Sequence, residues 1–75
     1  MKRVMTDEEF GLAAIALRRA IEDIGGVTRT AEMLGIARQS VSAWTICPPE
    51  WVSAMEKLSE QPKEELRPDL YGGEA

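Results

Sequence analysis

The sequence predicts an all-α domain of four to five helices gathered round a helix-turn-helix. Three observations carry this. Apolar residues recur at three- and four-residue steps, with no strand-like alternation after residue 6. Glycines and prolines punctuate the chain at Gly25-Gly26, Gly35, Pro48-Pro49, Pro62 and Pro68. The stretch from Val27 to Ile46, VTRTAEMLGIARQSVSAWTI, reads as two short helices joined at Gly35.

That stretch fills four roles at fixed offsets. Two helices crossing steeply need a small inward residue at the crossing, which is Ala31. The turn needs a residue that enters left-handed φ/ψ at little cost, which is Gly35. The second helix must plug the core at two places one turn apart, and Val41 and Trp44 have that spacing. Trp44 is expected at the centre of the core.

A chain of 75 residues is expected to form one domain over positions 1–75, with the helix-turn-helix at about 27–46. Such a domain buries roughly 60% of the surface its unfolded chain exposes. The longest apolar run, Leu12 to Leu17, is too short to span a bilayer. The start MKRVMTDEEF lacks the apolar region of a secretory signal. One cysteine, Cys47, makes no internal disulfide and is expected as a small apolar filler in a cytoplasmic protein.

The chain lacks histidine, so the commonest general base and transition-metal ligand is missing. One cysteine does not build a zinc site, and no glycine pattern cradles phosphate. The four serines have no base partner. The expectation is a protein that is not an enzyme, with no metal, no cofactor, no small-molecule substrate and no membrane span.

The net charge of −4 runs against nucleic-acid binding, where phosphate contacts dominate affinity. Its distribution runs the other way. Between Gly25 and Pro49 the charged residues are Arg29, Glu32 and Arg38, and the acids gather elsewhere.

In chain order, residues 1–5 are expected as a flexible arm, with Lys2 and Arg3 either solvated or touching phosphate. Thr6 and Glu9 have capping-box spacing, and Asp7 to Glu9 suit the positive end of a helix dipole. The first helix should run Asp7 to Ile24, with Phe10, Ala13, Ala14, Leu17, Ile21 and Ile24 inward. Leu12 and Ile15 lie off that stripe, either widening the buried face or meeting another subunit. Thr28 is the expected cap of a second helix ending near Leu34. The third should span Arg38 to Thr45, and a fourth Pro49 to Leu58, with Val52, Met55 and Leu58 inward. Pro62 can open a short helix, Lys63 to Arg67, which Pro68 ends. Residues 72–75 are expected to be flexible.

The segment GGVTRTAEMLGIARQSVSAW, with the PPEW that follows it, resembles the Cro-like phage repressors and the related YdaS-type antitoxin group. The late run ELRPDLY looks like the tail of YdaS-type members. The likeness covers about Leu17 to Tyr71. It implies a small Cro/lambda-repressor-like domain from a phage or mobile element, acting at the bacterial nucleoid. Such a domain binds double-stranded DNA as a homodimer on a pseudo-palindromic operator, and represses transcription.

The resemblance also implies roles for residues. Arg38 and Gln39 fall where base-reading side chains sit, with Ser42 and Ala43 one turn on. Arginine pairs with guanine O6 and N7, glutamine with adenine N6 and N7, and alanine packs on a thymine methyl. Thr28, Arg29 and Thr30 lie at the helix end that faces the DNA backbone, and Ser40 suits a phosphate. Two positions depart from the family. Ala37 replaces the usual serine or threonine cap. Trp51 stands where relatives carry a polar or basic residue, either packing over Cys47 or meeting another chain. Trp51, Leu66, Leu70 and Tyr71 are the expected dimer contacts. The competing expectation is a protein-interaction module on the same scaffold, with a toxin or another regulator as partner.

Overall fold

The computed structural model describes residues 4–71. Lys2, Arg3 and the tail at 72–75, all expected to be flexible, lie outside the described residues. Among those described, every regular element is helical.

Helix α1 runs Asp7–Ile24. Its start is the expected capping box. The Glu9 amide donates to Thr6 Oγ1 at 3.1 Å, and the Thr6 amide donates to Glu9 Oε1 at 3.1 Å. It ends where Gly25 takes φ 124 and the Gly26 amide donates to the Ile21 carbonyl at 2.8 Å. The buried face is Ala13, Ala16, Leu17 and Ala20. This is the expected stripe rotated by about 60° round the helix axis. Phe10 is exposed and Ala14 half-buried. Small side chains explain the rotation. Along the alanine edge α1 can approach its neighbours closely, while a stripe centred on Phe10 and Ile21 would hold them further off.

Helices α2, Val27–Leu34, and α3, Arg38–Ala43, form the helix-turn-helix. A single 3₁₀ turn, Pro49–Trp51, leads into α4, Val52–Leu58. Two four-residue helices complete the chain: α5, Lys63–Leu66, and α6, Pro68–Tyr71. The four to five expected helices are therefore six α-helices and one 3₁₀ turn among the described residues. The extra break lies at Arg67, which takes φ −142 and ψ 79. A residue before proline avoids the α region, and Pro68 then suits the first position of a new helix.

The core joins Ala16, Leu17 and Ala20 of α1 to Cys47, to Val52 and Met55 of α4, and to Leu66 of α5. Ile21, Ile24, Leu34, Trp44 and Trp51 pack against its edge. Trp44 is therefore a half-buried flank and not the centre of the core. Helix α3 stops at Ala43, and Trp44 is extended, with φ −70 and ψ 131. It is no longer on the helical turn that would drive it inward.

One expected dimer contact is corrected. Leu66 is completely buried within its own chain. Trp51 packs on the core, as its local reading held. Leu70 is half-buried, and the exposed Tyr71 has Lys63 Nζ 5.2 Å from its ring centre.

Candidate nucleic-acid interface

The turn between α2 and α3 is set by Gly35, at φ 72 and ψ 31. The Ile36 amide donates to the Ala31 carbonyl at 3.1 Å, and the Gly35 amide to the Glu32 carbonyl at 3.3 Å. This pair of bonds closes a helix through a left-handed residue. A Cβ at Gly35 would meet nothing within 4 Å. Backbone conformation, not space, requires glycine here. Ala31 is buried, as the crossing demands.

Helix α3 is held by little of its own surface. Val41 is its one buried residue. Gln39 and Ala43 stand most nearly opposite Val41 on a helix of 3.6 residues per turn. Ser40 and Ser42 lie to either side and Arg38 begins the helix; all five are exposed. Ala37 is the N-cap, extended at φ −69 and ψ 144, with no side-chain hydrogen bond. The structure thus brings the four expected base-reading residues, and Ser40, onto one solvent-facing helix without an acid among them.

The start of α2 differs from expectation. Gly26, not Thr28, is the N-cap, with φ 109 and no side-chain bond. Two successive glycines let the helix begin two residues earlier than a threonine cap would. Thr28 and Arg29 are exposed in the first turn. Thr30 is completely buried, and its Oγ1 donates to the Gly26 carbonyl at 2.8 Å. Its hydroxyl is committed to its own helix, so Thr30 is removed from the expected DNA-backbone contacts.

The segment after α3 is pinned by a residue that sequence reasoning missed. Arg67 grips Asp69 with two bonds, Nε to Oδ1 at 2.9 Å and Nη2 to Oδ2 at 2.8 Å. Its Nη1 donates to the Cys47 carbonyl at 3.0 Å. The hydrogen bond to Asp69 is the main cause that raises the arginine's pKa. The signal lay in R-P-D of ELRPDLY: a proline between two opposite charges bends the chain so that they face each other. Cys47 is buried, and its thiol donates to the Pro48 carbonyl at 3.5 Å. Burial pushes the thiol up to about 12, against the opposing pull of the Arg67 cation. A thiol held neutral this way fills space and does not react readily.

A family model described as "Bacterial toxin YdaS" matches residues 17–75. The chain belongs to the YdaS family. The matched span starts halfway along α1 and takes in the whole helix-turn-helix, the 3₁₀ turn and α4 to α6. No curated protein and no solved structure matches. Among the described residues no helix is long and apolar enough to cross a membrane.

Proposed function

We propose that this YdaS-family chain is a sequence-specific DNA-binding transcriptional regulator, a repressor that occludes a promoter as a dimer with α3 in the major groove. One observation carries the reading. Five of the six residues of α3 are exposed, and the helix is positioned by its two ends and Val41. Arg38 and Gln39 read bases in this scheme, with Ser42 and Ala43 beside them. Thr28, Arg29 and Ser40 hold the DNA backbone. No catalytic step is involved. The family description fits without one, because a protein that occupies the wrong promoters harms a cell by binding alone.

The test is a mobility shift on the chain's own upstream DNA, with and without excess nonspecific DNA. A lost bidentate base contact costs about 1–3 kcal/mol and relaxes preference at one base pair. A lost phosphate contact weakens all sequences alike. Arg38→Ala should therefore cut operator affinity much more than nonspecific affinity, and Arg29→Ala should cut both together. If Arg38→Ala and Gln39→Ala each leave the ratio of the two affinities unchanged, α3 is not the reader. The acidic balance, −4 overall, favours a second reading, a module that binds another protein. That reading takes over in such an outcome.

A further inference from the structure

Helix α1 carries an apolar face that the fold leaves uncovered. Leu12 is 58% exposed and Ile15 is 46% exposed. They border the buried alanine edge, Leu12 one turn before Ala16 and Ile15 further round the helix. Gly11 sits beside them, and a Cβ there would meet nothing within 4 Å. The face forms one wall of an open groove whose other side is Glu64, Glu65 and Pro68.

The charges on this face say what covers it. Glu8, Leu12, Ile15 and Arg19 follow one another at steps of four, three and four residues, so they form a single stripe. The stripe reads acid, leucine, isoleucine, base. Turned through a two-fold axis between Leu12 and Ile15, it complements itself. Leu12 then meets Ile15 of the partner subunit, and Glu8 meets Arg19 of the partner subunit, at both ends. A parallel pairing would instead set like charges together. Within the chain, neither Glu8 nor Arg19 makes an ion pair among the described residues. Gly11 adds no side chain that would hold the two helices apart.

We propose that this face is a homodimer contact in which two copies of α1 pack antiparallel across a two-fold axis. A two-fold interface must be self-complementary, and this stripe is. The inference deepens the dimer part of the proposed function by naming its surface, and it rests on that part alone. It replaces Leu66, which the core has taken. A single helix pair falls at the small end of specific interfaces, so the free dimer should dissociate on dilution.

Sedimentation of the full chain over a range of concentrations, without DNA, tests this. The wild type should show a concentration-dependent dimer. Glu8→Arg and Arg19→Glu should each weaken self-association about tenfold, because each turns two attractions into two repulsions. An equimolar mixture of the two variants should dimerise again, since each supplies the charge the other needs. The chain carrying both changes should do so as well. Circular dichroism melts check that the exposed substitutions leave the fold intact, and Ile15→Glu is the second variant if a charge reversal does not. A wild type that stays monomeric overturns the proposal, as do single variants that dimerise like wild type or a mixture that does not recover. Operator discrimination by the Arg38 comparison is measured separately. A monomer that still discriminates removes only the α1 contact. A dimer that does not discriminate removes only the DNA reading.

Discussion

Helices α1 and α3 are held by opposite means. Helix α1 has 18 residues, a reciprocal cap and a buried alanine edge. Helix α3 has six residues, no side-chain cap and one buried residue. Isolated helices shorter than about 12–15 residues are marginal in water, so α3 owes its existence to its neighbours. It is gripped at one end by the Gly35 turn, at the middle by Val41, and beyond its far end by the Arg67 bond to Cys47. A helix held this way spends almost none of its surface on folding. Its outward residues can change with little cost to stability, which suits a reading surface that must diverge between operators.

The sharpest way to break the contrast is to compare one core residue with one α3 residue. Leu66 is completely buried among α1 and α4 side chains. Leu66→Ala should cost about 2–5 kcal/mol from lost transfer energy and the cavity left behind. Ser42→Ala, on exposed α3, should stay within about 0.5 kcal/mol. Denaturant midpoints of the two variants check both. Equal losses would mean that α3 contributes to the core as α1 does.

Next in size is the pin. Arg67→Ala removes the bond to the Cys47 carbonyl and the two bonds to the Asp69 carboxylate, and both Arg67 and Asp69 side chains are largely buried. Hydrogen bonds to charged groups contribute about 1.5–3 kcal/mol each, partly offset where water replaces the donor. A net loss of about 2–3 kcal/mol is expected. Hydrogen exchange should show extra opening at 44–48 and in α3 before α1 is affected. Uniform opening would remove the pin from the account.

A smaller loss is expected at the turn. At Gly35, φ is 72 and there is room for a methyl group. Gly35→Ala should cost about 1–2 kcal/mol through backbone conformation alone. Asparagine tolerates the left-handed region better than alanine, so Gly35→Asn should recover part of that loss in a thermal melt. If alanine and asparagine are equally tolerated, the turn is softer than its two closing bonds suggest.

The same contrast explains how far the sequence could be read. Local signals were legible where chemistry acts over three or four residues. The Thr6–Glu9 cap, the Gly35 turn, the buried Ala31 and the uncapped Ala37 are all of that kind. What needed the tertiary structure is which face of an amphipathic helix wins. Periodicity weighed Phe10 and Ile21 by hydrophobicity, while packing chose the edge that lets α4 and α5 come close. Thr30 was legible as polar and near DNA in the family, but its burial depends on α2 being capped at Gly26, one turn before it. Trp44 depended on α3 ending two residues sooner than its pattern suggested. The pairing of Arg67 with Asp69 had a local signal in R-P-D, but its hold on the Cys47 carbonyl had none, because that carbonyl lies 20 residues away.

The smallest expected effect is a gain, and it bears on both stability and function. Ala37 already has the extended backbone of an N-cap, and its carbonyl accepts from the Ser40 amide at 3.0 Å. Only a side-chain acceptor is missing. Ala37→Ser should supply one and stabilise the chain by about 0.5–1 kcal/mol. Ala37→Asp should cap at least as well, since a carboxylate also suits the positive end of the helix. The two variants then part company on DNA. If the start of α3 lies against the duplex, the aspartate brings a negative charge to a phosphate-rich surface, and the serine does not. Ala37→Asp should therefore melt higher than wild type yet bind DNA of every sequence more weakly, most of all at low salt. Ala37→Ser should melt higher and bind at least as well. Parallel melts and salt-titrated mobility shifts measure both quantities. Should both variants bind as the wild type does at low salt, the start of α3 does not face the phosphates, and the contrast between a folding helix and a reading helix would rest on stability alone.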